Sequence, residues 1–165
     1  MEKIIKIEED YFKIHDGYYD GYIITTDQQT IKVGISAEII CCERFGYLTT
    51  NDDLQEFEGA ELLSIAVVDT SLNSKKIEQV VGDLNYGDVM FINFETSVGT
   101  MQLVAYNSHN GYYGHKAVII SKQLNYSEII WIRHPSINTD MEYKVQSSKE
   151  AHSPKKKHWT TSSLK

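Results

Sequence analysis

A chain of 165 residues is the size of one domain, and at about this length folding hides roughly 68–70% of the unfolded surface, so a single real core is expected. The formal charge of −7 is uneven: residues 149–165 carry five lysines against one glutamate, leaving −11 on residues 1–148, an acidic body that phosphate backbones repel. Apolar stretches such as Ile39 to Cys42 and Ala117 to Ile120 run only four residues, far short of the roughly 18 that a membrane-spanning helix needs.

The opening Met-Glu-Lys-Ile-Ile-Lys-Ile-Glu-Glu has neither an apolar h-region nor a small-residue cleavage site, so no signal peptide is predicted and a soluble cytoplasmic protein is expected. The only two cysteines, Cys41 and Cys42, are neighbours; a bridge between them would force a strained ring, and two reduced thiols are expected. Eleven tyrosines, two prolines and short β-branched runs broken by Gly, Asn and Asp predict a mainly β (α+β) fold. Its expected form is an antiparallel sheet of hairpins and a meander with one or two short helices. Residues 1–121 are assigned to a compact β-rich domain, 122–146 to an edge strand or extension, and 147–165 to a basic, disordered tail.

In chain order, Tyr11 to His15 is a strand candidate, His15-Asp16-Gly17 carries an Asp-Gly turn signal, and Tyr22 to Thr26 completes a hairpin. Asp27-Gln28-Gln29 supplies a second turn. Beyond it Ile31, Val33 and Ile35 alternate with Thr30, Lys32, Gly34 and Ser36, the pattern of a half-buried strand. Asn51 is predicted to cap a short helix in which Asp52 and Asp53 face the positive N-terminal end, Leu54 and Phe57 point inward and Gly59 stops the turn. Glu61 to Asp69 reads as a strand, and Ser71 to Asp88 as a polar connection with room for one more helical turn. Val89 to Glu95, Thr100 to Asn107 and Tyr112 to Ser121 are predicted as three consecutive antiparallel strands, a β-meander. Glu128 to Arg133 is a candidate edge strand, after which apolar periodicity ends.

No strong catalytic signature is present: there is no nucleophile elbow, Gly-rich phosphate loop, HExxH helix or paired CxxC. Cys41, Cys42, His109 and His115 are the right ligand types for zinc, but adjacent cysteines and a six-residue histidine spacing do not match familiar zinc motifs, so no metal and no cofactor is expected. A cysteine nucleophile would need Cys42, His115 and Asn107 in contact, and nothing local supports it. Asp52 and Asp53 are a carboxylate pair, yet at a helix start they have a simpler electrostatic role.

The richest polar and aromatic segment is Asn107-Ser108-His109-Asn110-Gly111-Tyr112-Tyr113-Gly114-His115, since Tyr with Asn, Ser and Gly is a mixture favoured at recognition surfaces. Asn107, His109, Asn110, Tyr112, Tyr113 and His115 are its candidate binding residues. Turn chemistry alone accounts for Asn110 and Gly111, and the echo of His15-Asp16-Gly17-Tyr18-Tyr19 in His109-Asn110-Gly111-Tyr112-Tyr113 fits hairpin mechanics, with a Tyr pair placing one ring on each face of the next strand.

Three blocks carry a resemblance: the strand followed by Cys41-Cys42-Glu43, Asp52-Asp53-Leu54 to Gly59-Ala60-Glu61-Leu62-Leu63, and Tyr106-Asn107-Ser108-His109-Asn110-Gly111-Tyr112-Tyr113. In order and spacing they resemble a domain-of-unknown-function family carried by phages and bacteria, over roughly residues 20–120. The resemblance implies a compact β-rich domain and supplies no catalytic residues. Residues 122–165 lie outside it.

These readings converge on a non-enzymatic interaction module with a protein partner, no membrane and no nucleic acid for the folded body. A phage or mobile-element protein that inhibits a host protein, of anti-defence or anti-CRISPR type, is the concrete version. The competing reading is a metal-binding or cysteine-dependent enzyme built on Cys41, Cys42, His109 and His115. For the tail, docking Trp159 would gain about 1.5–3 kcal/mol, while each backbone residue fixed with it costs about 1–2 kcal/mol. Deleting residues 147–165 is therefore expected to leave the thermal midpoint unchanged; a fall of several degrees would show that Trp159 packs.

Overall fold

The computed structural model describes residues 1–15, 17–39, 44–82, 88–108, 115–123 and 126–132, with the backbone alone at 88 and 126–132. Among the described residues nine antiparallel strands form one sheet: β1 (Glu2–Ile14), β2 (Gly17–Thr26), β3 (Thr30–Ser36), β4 (Phe45–Thr49), β5 (Glu61–Val68), β6 (Asp88–Thr96), β7 (Gly99–Asn107), β8 (His115–Ser121) and β9 (Tyr126–Ile132). Their order is β4-β7-β6-β5-β1-β2-β3-β8-β9. Among the described residues no helix is long and apolar enough to cross a membrane.

β1 joins two halves. Glu2 and Lys3 pair with Leu62 and Glu61 of β5, and from Ile4 opposite Thr26 onward β1 pairs with β2 as far as Ile14 opposite Gly17. The sheet then curls so that its halves face each other. Alternation gives each half an apolar inner face: Tyr22, Ile24, Ile31, Val33, Ile35, Ala117 and Ile119 on one side meet Leu62, Ile65, Met90, Ile92, Phe94, Met101 and Leu103 on the other. The end strand β4 thereby reaches the opposite half, where Tyr47 meets Tyr22 edge to face with centroids 5.3 Å apart.

Both outer faces are covered in part. Helix α1 (Ser74–Val81) is capped by Asn73, whose side chain accepts the Lys76 N–H at 3.1 Å, and Gly82 ends it at φ 75°. It seats Ile77 and Val81 on Leu48, Phe91 and Val104, which lie side by side on β4, β6 and β7. On the other half Phe12, Tyr19 and Val118 form a third cluster. Phe12 lies over Gly34, where a Cβ would come within 2.8 Å of its ring.

Several expectations are corrected. The meander stops at β7: β6 and β7 pair, but β8 pairs with β3 and β9, so the chain crosses to the other half after Asn107. A tight Asn-Gly signal fits a local hairpin, but partner choice is set by which apolar face must be buried, and Ala117 and Ile119 complete the β3 side of the core. Asn51 does not cap a helix. Its Oδ1 accepts the Gln102 N–H at 2.9 Å, Asp53 accepts from Gln55 N at 2.8 Å, and only a 3-10 turn, Gln55–Phe57, forms there. The first strand begins at Glu2 rather than Tyr11, the second at Gly17 rather than Tyr22, and β4 was not anticipated at all. His15 follows β1 at φ 49°, and Gly17 already belongs to β2; Asp16 lies outside the described residues. The described part of the third meander strand begins at His115; Tyr112 to Gly114 and the tail lie outside the described residues. β9 is an edge strand, as expected near 128–133.

Gly21 pairs with Gly34, and a Cβ on Gly21 would sit 2.0 Å from the Val33 carbonyl oxygen, a backbone atom that cannot swing away. Gly21→Ala is expected to cost about 3 kcal/mol, at the upper end of overpacking penalties, as a lower denaturation midpoint with little change in slope.

Candidate functional site

One end of the sandwich gathers the far ends of β1, β3 and β7 with the starts of β2, β4 and β8. Two of the six binding candidates are described there. Asn107, 3% exposed, closes β7 in register with Phe45 of β4 and Asp88 of β6. His115, 2% exposed, opens β8 with its ring stacked on Phe45 at 3.8 Å between centroids. Its Nε2 lies 2.5 Å from the Ser36 carbonyl oxygen. A carbonyl only accepts, so that nitrogen carries the proton. Phe45 thus brings Asn107 and His115 together from the two halves of the sheet.

The connection between them leaves Asn107 under control as well. Ser108 donates both its N–H, at 2.7 Å, and its hydroxyl, at 3.1 Å, to the Arg44 carbonyl. His109, Asn110, Tyr112 and Tyr113 lie outside the described residues, as do Cys41 and Cys42. Among the described residues no group of three His, Cys, Asp or Glu side chains is placed to hold a metal. Asp52 is fully exposed, 3.4 Å from the Lys76 ammonium, and Asp53 is occupied by the 3-10 turn, so the two carboxylates do not face a common point.

The same rim holds a set of residues that the sequence reading passed over. On β1 and β2, Glu9 is opposite Tyr22, Tyr11 opposite Asp20 and Lys13 opposite Tyr18. Directly paired and alternate residues share a face, so these six form one surface continuous with the core. Tyr22 and Tyr47 both direct their hydroxyls at the Glu9 carboxylate, at 3.4 and 3.5 Å. Burial first, and the Glu9 charge second, push both phenols above their ordinary range. Asp20 acts on Tyr47 in the same direction. Beyond the core edge, Tyr11 and Tyr18 stack at 5.2 Å with nearly parallel rings, and the Lys13 ammonium lies 5.5 Å over Tyr18. The visible signal was the two alternations, Glu9-Tyr11-Lys13 and Tyr18-Asp20-Tyr22, on either side of the Asp16-Gly17 dipeptide.

The chain matches DUF7448, a domain of unknown function, over residues 1–119, and it belongs to that family. The match begins at the start of β1, earlier than the resemblance near residue 20 suggested, and stops within β8. Neither a curated protein nor a solved structure matches the chain.

Because the folded-state values of Tyr22 and Tyr47 are raised, the stability tied to keeping these phenols protonated is whole below about pH 10 and is lost as pH climbs through the raised values. Glu9→Gln removes the second cause and leaves burial. A tyrosinate absorbance titration is expected to show two late-titrating phenols moving to lower pH in the variant, yet staying above the exposed tyrosines, with a shallower alkaline loss of stability. Unmoved late phenols would remove Glu9 from this site.

Proposed function

We propose that this DUF7448 member is a non-enzymatic interaction module that binds a basic protein surface through the rim described above. The observation that carries the reading is that Phe45 pairs with Asn107 along β4 and β7 and stacks its ring on His115, so that both ends of a Tyr- and Asn-rich segment are fixed at the rim that carries an acidic, aromatic face. Rigid flanks lower the ordering cost of binding for a short segment, and Tyr-rich segments supply contact area with few rotatable bonds. The charge of −11 over residues 1–148 favours a basic partner and speeds encounter with it. The concrete version is a cytoplasmic phage or mobile-element protein that binds and inhibits a host protein, an anti-defence or anti-CRISPR role offered by analogy of type.

The metal or cysteine reading gains no specific support from the rim. Of its four residues His115 alone is described, and its Nε2 already donates to Ser36.

Affinity capture from a bacterial lysate, run in parallel with wild type and a His109→Ala, Tyr113→Ala double variant, tests the module. A partner held by the wild type and depleted at least about tenfold by the variant, with capture weakening as salt rises, is expected. Equal capture by a folded double variant would remove the support for this surface.

A further inference from the structure

The part of the rim formed by β1 and β2 has chemistry of its own. Asp20 sits at its centre, half-buried, with Tyr11 opposite it on β1, Ile35 opposite it on β3, and Tyr18 and Tyr22 two residues to either side along β2. Tyr47 approaches from the facing half and feels the Asp20 charge. Among the described residues the Asp20 carboxylate makes no hydrogen bond and no ion pair; the only salt bridges described are Lys6 to Glu8 and Lys76 to Asp52. A carboxylate partly removed from water among ring faces has lost hydration without gaining a donor, and a cation repairs that loss best. The rings favour the same occupant, because an aromatic face is the negative end of its quadrupole.

We propose that this surface takes the cationic head of one basic side chain, a lysine ammonium or an arginine guanidinium, with Asp20 as counter-charge and Tyr11, Tyr18, Tyr22 and Tyr47 as walls. The chain itself shows a cation against one of these walls, since Lys13 lies over Tyr18 without reaching Asp20 in an ion pair. Access runs from the outside inward: Tyr11 and Tyr18 are 54% and 46% exposed, while Tyr22 is 4% exposed at the floor. Glu9, held by the Tyr22 and Tyr47 hydroxyls, adds a second negative charge beside the floor, and among the described residues no cation is paired with it. The identity of the donor as a protein partner rests on the interaction reading above; the cage does not.

The full chain is titrated by NMR with the Nα-acetyl amides of arginine, lysine and citrulline, probes whose charge resides in the side chain or, for citrulline, nowhere. At least one cationic probe is expected to shift the tyrosine ring signals and saturate at millimolar concentration, with no matching shift from citrulline. Asp20→Asn, close in shape, is expected to weaken that binding about tenfold. Lys13→Met, which removes the competing ammonium from an exposed position, is expected to tighten it severalfold. Equal shifts from citrulline, silence of both cationic probes, or an Asp20→Asn titration identical to wild type would each overturn the cage. If Asp20→Asn fails to fold, the citrulline comparison and Lys13→Met decide the matter. Because the probes need no partner, a responsive cage with failed lysate capture sinks the partner reading alone, and a silent cage with variant-sensitive capture sinks the cage alone.

Discussion

The whole arrangement depends on one strand changing partners. β1 gives its first residues to β5 and the rest to β2, with Ile4 exchanging backbone hydrogen bonds with Ala60 and Gly59 at 2.9 and 2.8 Å at the junction. The register breaks between Ile4 and Lys6, and this break rephases the strand. In strict alternation Ile4 and Lys6 would share the core face; instead Ile4 and Ile7 are buried, Ile5 is 57% exposed, and Lys6 reaches Glu8 at the surface. An irregularity of this kind also adds twist, which lets a single sheet fold its halves together over one core. Without it a lysine would enter an apolar layer, at a cost that no nearby group offsets.

Two buried polar groups hold the ends of this curled sheet in place. Glu2, at the start of β1, accepts from Thr26 and Gln29 through one oxygen and from Gln123 through the other, tying the first strand to the β2–β3 and β8–β9 turns. Burial pushes its carboxyl up, but the hydrogen bonds from Thr26, Gln123 and Gln29 outweigh that and hold it below its ordinary value. Gln102, fully buried on the outer face, donates to the Thr70 carbonyl and Asn93 and accepts from Leu72 N, which fixes the loop that delivers α1. An unsatisfied amide there would cost about 1–3 kcal/mol, so the loop position and the side chain specify one another.

The fold class, the second turn, β3, the β6–β7 hairpin and the edge strand were legible because each follows from period-2 alternation or turn chemistry within a few residues. Partner choice was not. Nothing within Thr100 to Ser121 says that β8 belongs beside β3, because that depends on which exposed apolar face lies nearest once the sheet has curled. The N-terminal half of β1 was hidden by its own irregularity, since Ile4, Ile5 and Ile7 fit no single period. Phe45 to Thr49 holds too few residues, with Gly46 among them, to declare a strand alone. At the rim, Asn107 and His115 were named as candidates from composition, whereas Glu9, Asp20, Tyr22 and Tyr47 needed the register that places them together.

That register explains why the rim differs from the opposite end. Glu2 and the rim lie at opposite ends of β1, about ten residues and so roughly 30 Å apart along an extended strand. At the Glu2 end the carboxylate is met by three side-chain donors of the same chain. At the rim the hairpin runs past the facing half, so Tyr11 and Tyr18 pack on each other rather than under a covering strand, and Asp20 has tyrosine neighbours where Glu2 has hydrogen-bond donors. A sequence that gives one buried carboxylate three donors and leaves a half-buried one with tyrosine neighbours and no donor departs there from its own packing rule. Such departures mark the positions where a surface is shaped for something other than its own stability.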